Sequence, residues 1–132
     1  GIDCAVAVPE GNEVKQEVLH AAKEKAKGSG SEIIQTNDVK EAVTNADIVY
    51  TDVWASMGWE GDLEARLKAF SDYQVDEAIV KDAKDDYMFM HCLPAKRGEE
   101  VAAEVIDGEN SVVFDQAENR LQAQKAILAS LV

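Results

Sequence analysis

No stretch of this sequence stays apolar for the roughly 20 residues that a helix needs to cross a bilayer. No charged-then-apolar leader opens it, so the default location is the cytoplasm. Basic residues are scarce: 13 Lys and Arg stand against 26 Asp and Glu, a net charge of −13. A nucleic-acid binder carries a basic stripe, and without one that class is set aside; the acidic excess reads as a solvated surface. Cysteine is nearly absent. Cys4 and Cys92 cannot make a disulfide framework, which favours a reduced, intracellular protein. No pair among His20, His91, Cys4 and Cys92 has metal-ligand spacing, so no metal and no cofactor is expected. A Gly-x-Gly-x-x-Gly turn opening a helix is missing too. Gly28-Ser29-Gly30 closes a helix instead, which excludes a dinucleotide-binding module. Pro9-Glu10, not an acidic pair, follows the first strand, which excludes a receiver module. The sequence has no repeat, low-complexity tract or linker, and its 132 residues read as one domain of a soluble globular protein. It opens at Gly1 directly into an apolar strand, and so reads as a piece of a longer protein.

What is present is an alternation of strand and helix signals. Ile2 to Val8 is an apolar run that predicts a buried parallel strand. Asn12 is placed to cap a helix whose Val14, Val18, Ala22 and Ala26 share a face, with Lys25 and Lys27 in its last turn and Gly28 past its end. A strand follows at Glu32 to Thr36, a short helix capped by Asp38 runs to Asn45, and a third strand spans Asp47 to Thr51. Leu63, Leu67 and Phe70 define one helix face, and Val75, Ile79 and Val80 mark another short helix. Strand Tyr87–Met90, helix Glu99–Ile106, strand Ser111–Phe114 and a helix Asp115–Val132 complete the series. Asp115 and Glu118 have the spacing of a capping box. The pattern predicts an α/β fold, an open parallel sheet of about five strands with helices on both faces.

Three of these strands end in polar clusters, where ligand crevices form in open α/β sheets. The clusters are Asp52-Val53-Trp54-Ala55-Ser56-Met57-Gly58, His91-Cys92-Leu93-Pro94-Ala95-Lys96-Arg97 and Asp115-Gln116-Ala117-Glu118-Asn119-Arg120. Cys92 is either a small buried hydrophobe or a functional thiol. His91 is a poor base for it, since adjacent residues on an extended segment point apart. Asp52 suits a turn or cap, and equally a substrate ammonium group, a task Ser56 could share. Gly58 and Gly61 bracket Trp59, in a flap or an ordinary loop, and Trp54 is core or wall. Arg120, in the first turn of a helix, opposes the helix dipole, a hint of function. His20 reads as a surface residue. Arg97 and Arg120 are the main cations of the clusters, so most ligands for a phosphate would come from elsewhere.

Together these segments resemble the ornithine carbamoyltransferase family. The resemblance rests on Asp52 to Gly58, Met90-His91-Cys92-Leu93-Pro94-Ala95, Arg97-Gly98-Glu99-Glu100-Val101 and Val112 to Leu121, in register over nearly the whole chain. It implies a Rossmann-like fold lacking the family's first strand, and a transferase of arginine biosynthesis and the urea cycle. In the implied reaction, the side-chain amine of L-ornithine attacks carbamoyl phosphate to give citrulline and phosphate. Carried onto this chain, Asp52 and Ser56 hold the α-amino group of ornithine and the backbone of Met57 its carboxylate. Cys92 lies beside the reacting amine, Leu93 receives the carbamoyl NH₂ through its carbonyl, and Arg120 contacts the carbamoyl end. Asp52, Cys92 and Arg120 are thus the implied catalytic residues. His91 and Pro94 support them, with a cis Leu93-Pro94 bond. The resemblance also implies a homotrimer. Residues 1–132 would be most of the ornithine-binding domain with the C-terminal helix. The carbamoyl-phosphate-binding domain, with its Ser-x-Arg-Thr-Arg motif, would be absent, as would a first strand and helix bearing an asparagine that contacts ornithine. An unfilled central slot in the sheet would then leave this piece poorly folded and inactive alone.

Trp59 departs from the family, which commonly has glutamine after Ser-Met-Gly, and puts the flap and the amine preference in question. Two other readings stand beside the first. A sister carbamoyltransferase would use putrescine, aspartate or an acylated ornithine; Ser56-Met57-Gly58 favours plain ornithine, since putrescine has no carboxylate for Met57. A non-catalytic fragment would bind the amino acid without transferring anything.

Overall fold

Strand and helix alternate along the chain as the apolar runs predict, in a structure, a computed structural model, that describes residues 1–55 and 61–131. The order is β1 (Cys4–Ala7), α1 (Gln16–Ser29), β2 (Ile33–Thr36), α2 (Val39–Val43), β3 (Ile48–Thr51) and α3 (Leu63–Phe70). A 3₁₀ turn (Ser71–Tyr73) leads to α4 (Glu77–Val80), β4 (Met88–His91), α5 (Ala103–Ile106) and α6 (Val113–Ser130). No helix among the described residues is long and apolar enough to cross a membrane.

Among the described residues the expected five-stranded sheet is not formed. Two parallel pairs stand instead, β1 with β2 and β3 with β4. Cys4 pairs with Ile33 and Ala7 with Thr36 in the first; Ile48 pairs with Met88 and Thr51 with His91 in the second. The free edges of β1 and β3 border one cavity of about 150 Å³, with Ala5 and Ala7 on one side, Val49 and Thr51 on the other, and Val43 of α2 also in its lining. This open slot explains why the first strand is not buried: Cys4 and Ala5 are exposed. Backbone alternation also turns the amides of Ala5 and Ala7 away from β2, because Cys4 and Val8 donate to it.

The predicted fifth strand is reduced to a single bridge, Phe89 to Ser111, fixed by Phe89 N–H to Asn110 O at 2.8 Å and Val112 N–H to Phe89 O at 3.0 Å. The chain then turns helical at Val113. Helical geometry buries Val113, 1% exposed, while it leaves Phe114 at 72%. Asp115 therefore lies inside the first turn, where its charge suits the dipole, and it caps nothing; the cap position is Val112. Other boundaries move for equally local reasons. Val14 N–H is drawn to the Gln35 side chain at 2.9 Å and Asn12 Oδ1 to Arg66, so α1 begins at Gln16 and Asn12 is not its cap. Gly28 lies within α1, and Gly30, at φ +72°, supplies the left-handed C-cap. The helix expected from Glu99 starts at Ala103, because Val101 is held in bridges to Val75 and Arg97. Asp38, by contrast, caps α2 as expected.

The main core gathers around β4. Phe89 and Val101 are wholly buried, with Val75, Val105, Ile106 and Val113 against them. A smaller aromatic cluster joins Trp54 to Phe70 and Phe70 to Tyr73, each at 5.9 Å between ring centres. Arg66 lies 4.6 Å over the Phe70 ring and donates to the Trp54 carbonyl. Trp54 is therefore a core residue.

Candidate active site at the ends of two parallel strands

The register of β3 and β4 makes the site. Thr51 pairs with His91, so the next residues along, Asp52 and Cys92, leave the sheet side by side. Cys92 Sγ donates to Asp52 Oδ1 at 3.1 Å. The same carboxylate oxygen accepts Val53 N–H at 2.7 Å, which fixes the Asp52 side chain. Both residues remain exposed, as a substrate site requires. What burial Cys92 has, together with the Asp52 hydrogen bond and charge, pushes its thiol above the ordinary range. Cys92 is therefore a neutral hydrogen-bonding group at physiological pH, and no thiolate nucleophile.

Tyr50 and Gln116 complete the rim, and the sequence reading gave neither a role. Gln116 Oε1 accepts the backbone N–H of His91 at 3.0 Å, and its Nε2 donates to Tyr50 Oη at 3.4 Å. One side chain of α6 thus ties together the ends of both strands. Desolvation raises the Tyr50 hydroxyl, and the nearby Cys92 and Asp52 add to the effect. Arg120 is one helical turn beyond Gln116 on the same face of α6. It is exposed and makes no hydrogen bond or ion pair among the described residues. Arg97, the other cation of the clusters, is not available: it makes a two-pronged bond to Asp107 at 2.8 and 2.6 Å.

His91 is the last residue of β4, not the first beyond it, and is 1% exposed. Its Nδ1 accepts Leu93 N–H at 2.9 Å, and its Nε2 lies 3.2 Å from Oε1 of the fully buried Glu100. Leu93 sits at φ +54°, followed by the expected cis bond to Pro94. Glu100 escaped the sequence reading because two adjacent glutamates at a predicted helix start look like surface. Its only signal was the flanking Val101. Asp52, His91 and Cys92 bring one ligand atom each within 4.8 Å of one another, closer than their spacing suggested. A cation there would have to displace Leu93 N–H from His91 or Glu100 from its ring, so we assign it no metal.

Cys4 lies in β1 and His20 on the exposed face of α1, both elsewhere in the fold; both cysteines are free. Ser56, Met57, Gly58 and Trp59 lie outside the described residues, and so does the predicted flap around them.

The chain is similar to known proteins over nearly its whole length. The model of the aspartate/ornithine carbamoyltransferase family, Asp/Orn binding domain, matches residues 1–131. An ornithine carbamoyltransferase of Anoxybacillus flavithermus is 56% identical over 132 residues, all of this chain and 42% of that protein. Among solved structures, the ornithine carbamoyltransferase of Pyrococcus furiosus matches at TM-score 0.91 and 56% identity, over 98% of this chain and 41% of its own. The anabolic ornithine carbamoyltransferase of Campylobacter jejuni matches at TM-score 0.92 and 36% identity, over 98% of this chain and 43% of its own. The chain thus spans less than half the length of the relatives it matches.

Proposed function

This chain belongs to the aspartate/ornithine carbamoyltransferase family, and from that premise we propose that it supplies the ornithine side of a carbamoyltransferase active site. In the parent protein, the side-chain amine of L-ornithine forms a bond to the carbamoyl carbon of carbamoyl phosphate. The bond from that carbon to the phosphate oxygen breaks, the amine loses a proton, and citrulline and phosphate leave. The observation that carries the reading is the contact of Cys92 with Asp52 at two adjacent strand ends. It sets an anionic acceptor and a neutral thiol within one amino-acid length of each other.

Asp52 takes the α-ammonium group, with Ser56 and the Met57 backbone completing the amino-acid end. Cys92 lies beside the reacting amine. Its raised pKa suits this place, because a neutral neighbour does not hold the amine in its charged, unreactive form. Leu93 receives the carbamoyl NH₂ and Arg120 offsets charge on the carbamoyl oxygen as it develops. The phosphate dianion needs further cations. Within the clusters only Arg120 is without an acidic partner among the described residues, since Lys96 pairs with Glu99 and Arg97 with Asp107. We assign phosphate binding to the rest of the parent protein, in a second domain. A cytoplasmic homotrimer, with no nucleic-acid or membrane partner, is the assembly that goes with this reading.

The test is carbamoyl transfer by the full-length parent, offered ornithine, putrescine, aspartate and acetylornithine in parallel. Turnover of ornithine well above the others is the expected result. Preference for another amine would keep the carbamoyl chemistry and overturn the roles of Ser56 and Met57.

A further inference from the structure

Glu100 is a fully buried carboxylate that the reaction as written does not use. It sits on the return of a tight loop, where Gly98, at φ +85°, donates to Val101 O at 2.8 Å and Glu99 donates to Lys96 O at 3.0 Å. Its Oε1 accepts Lys96 N–H at 2.6 Å and lies 3.2 Å from His91 Nε2. The other imidazole nitrogen accepts Leu93 N–H. One carboxylate and one imidazole therefore grip the chain on both sides of Leu93-Pro94. Between the two grips Leu93 holds a left-handed backbone, which a leucine rarely adopts unaided.

We propose that Glu100 and His91 are positioning residues, a buried clamp that holds Leu93 where it meets the carbamoyl group. The inference rests on the carbamoyl-transfer reading, in which Leu93 makes that contact. The clamp does not relay protons. An Nδ1 that accepts an amide N–H has its lone pair occupied, and an amide N–H does not give up its proton at neutral pH. The imidazole proton then belongs to Nε2, which faces Glu100. Neither Nε2 nor Glu100 Oε2 has a hydrogen-bonded partner among the described residues, and at 3.2 Å the ring nitrogen lies off line from Oε1. Both side chains are sealed from solvent, so neither touches substrate.

The experiment uses the full-length parent and the variants Glu100→Gln, Glu100→Ala, His91→Asn and His91→Ala. Glu100→Gln keeps an acceptor for Lys96 N–H and for the imidazole while removing the charge. A clamp predicts that it keeps kcat within about threefold, with an unshifted pH–rate profile. Glu100→Ala releases the loop and should lower kcat by about 100-fold, the scale of a misplaced reacting group, with the ornithine KM within about threefold. His91→Asn keeps an acceptor near the Nδ1 position and should retain more activity than His91→Ala. If Glu100→Gln loses as much as Glu100→Ala and shifts the pH–rate profile, the carboxylate acts by charge or proton transfer and the proposal fails. Full activity of Glu100→Ala would overturn it as well. Where Glu100→Ala does not fold, the Glu100→Gln profile and the His91→Asn activity still decide. A parent that transfers to no ornithine at all refutes the carbamoyl-transfer reading instead.

Discussion

The two strand pairs of this chain have the same length, the same parallel sense and similar apolar content, yet β4 in one is the heart of a core and β1 in the other lies open. β4 carries Phe89 at 0% exposure and His91 at 1%, with α5, the start of α6 and Val101 around it. β1 has Cys4 and Ala5 exposed, and α1 buries only Ala26 while Val18 stays 54% exposed. Burial is thus a property of what lies next to a strand, and β1 faces an open slot. The proposed chemistry sits at the end of the pair that holds β4. A constellation that must hold reacting atoms in place gains from a rigid base, and Asp52, Cys92 and His91 all leave from the β3–β4 pair.

Substitution should separate the halves most strongly. Phe89→Ala is expected to destabilise the protein by about 3–5 kcal/mol, as for a buried aromatic. Ile34→Ala in half-buried β2 should cost only about 1–2 kcal/mol. Denaturant melts of the full-length parent measure both, and equal losses would erase the contrast. Hydrogen exchange on the 132-residue chain reads the same difference without mutation. The Phe89 amide, bonded to Asn110 O, should exchange about 100-fold more slowly than the amides of Ala5 and Ala7 at the open edge. Uniform exchange would mean that the chain opens as one body.

A smaller effect concerns the coupling of Cys92 to Asp52. With the thiol raised by burial and by the carboxylate, Asp52→Asn should move the pH midpoint of Cys92 alkylation downward. An unmoved midpoint would mean that burial alone sets it. The least effect is expected at the surface pair Arg97–Asp107. The Arg97 hydrogen bond holds the Asp107 carboxyl below its ordinary value in the folded state. Its contribution is therefore present above the ordinary carboxylate pKa and lost as pH falls through the lowered one. Asp107→Asn should make acid unfolding slightly less steep, with little change at neutral pH. A large loss of stability at neutral pH would show that the pair holds the Gly98 loop.

How much of this was legible depended on whether local sequence or a distant neighbour decided the outcome. β3 and β4 stand out as apolar runs ending in polar clusters, and Asp38 announces its cap. Asp52 and Cys92 could be placed at strand ends, and pairing of those strands then brings them together. Val112-Val113-Phe114 misled because three apolar residues fit strand or helix equally. Only the burial of Val113 beside an exposed Phe114 tells them apart. The exposure of β1 is invisible in its residues, since it comes from the open slot beside it. Glu100 and Gln116 were hidden for another reason: a buried carboxylate and a bridging amide look in sequence like any polar residue on a helix. Arg97 looked free until the fold brought Asp107 beside it.

The central claim is that Asp52, beside Cys92 at the ends of β3 and β4, holds ornithine. Steady-state kinetics of Asp52→Asn in the full-length parent test it most directly. The account predicts that kcat/KM for ornithine falls by about 100-fold, the scale of a lost charge-assisted hydrogen bond, while the KM for carbamoyl phosphate stays within about threefold. An unchanged ornithine kcat/KM would contradict it and move the amino-acid site away from these strand ends.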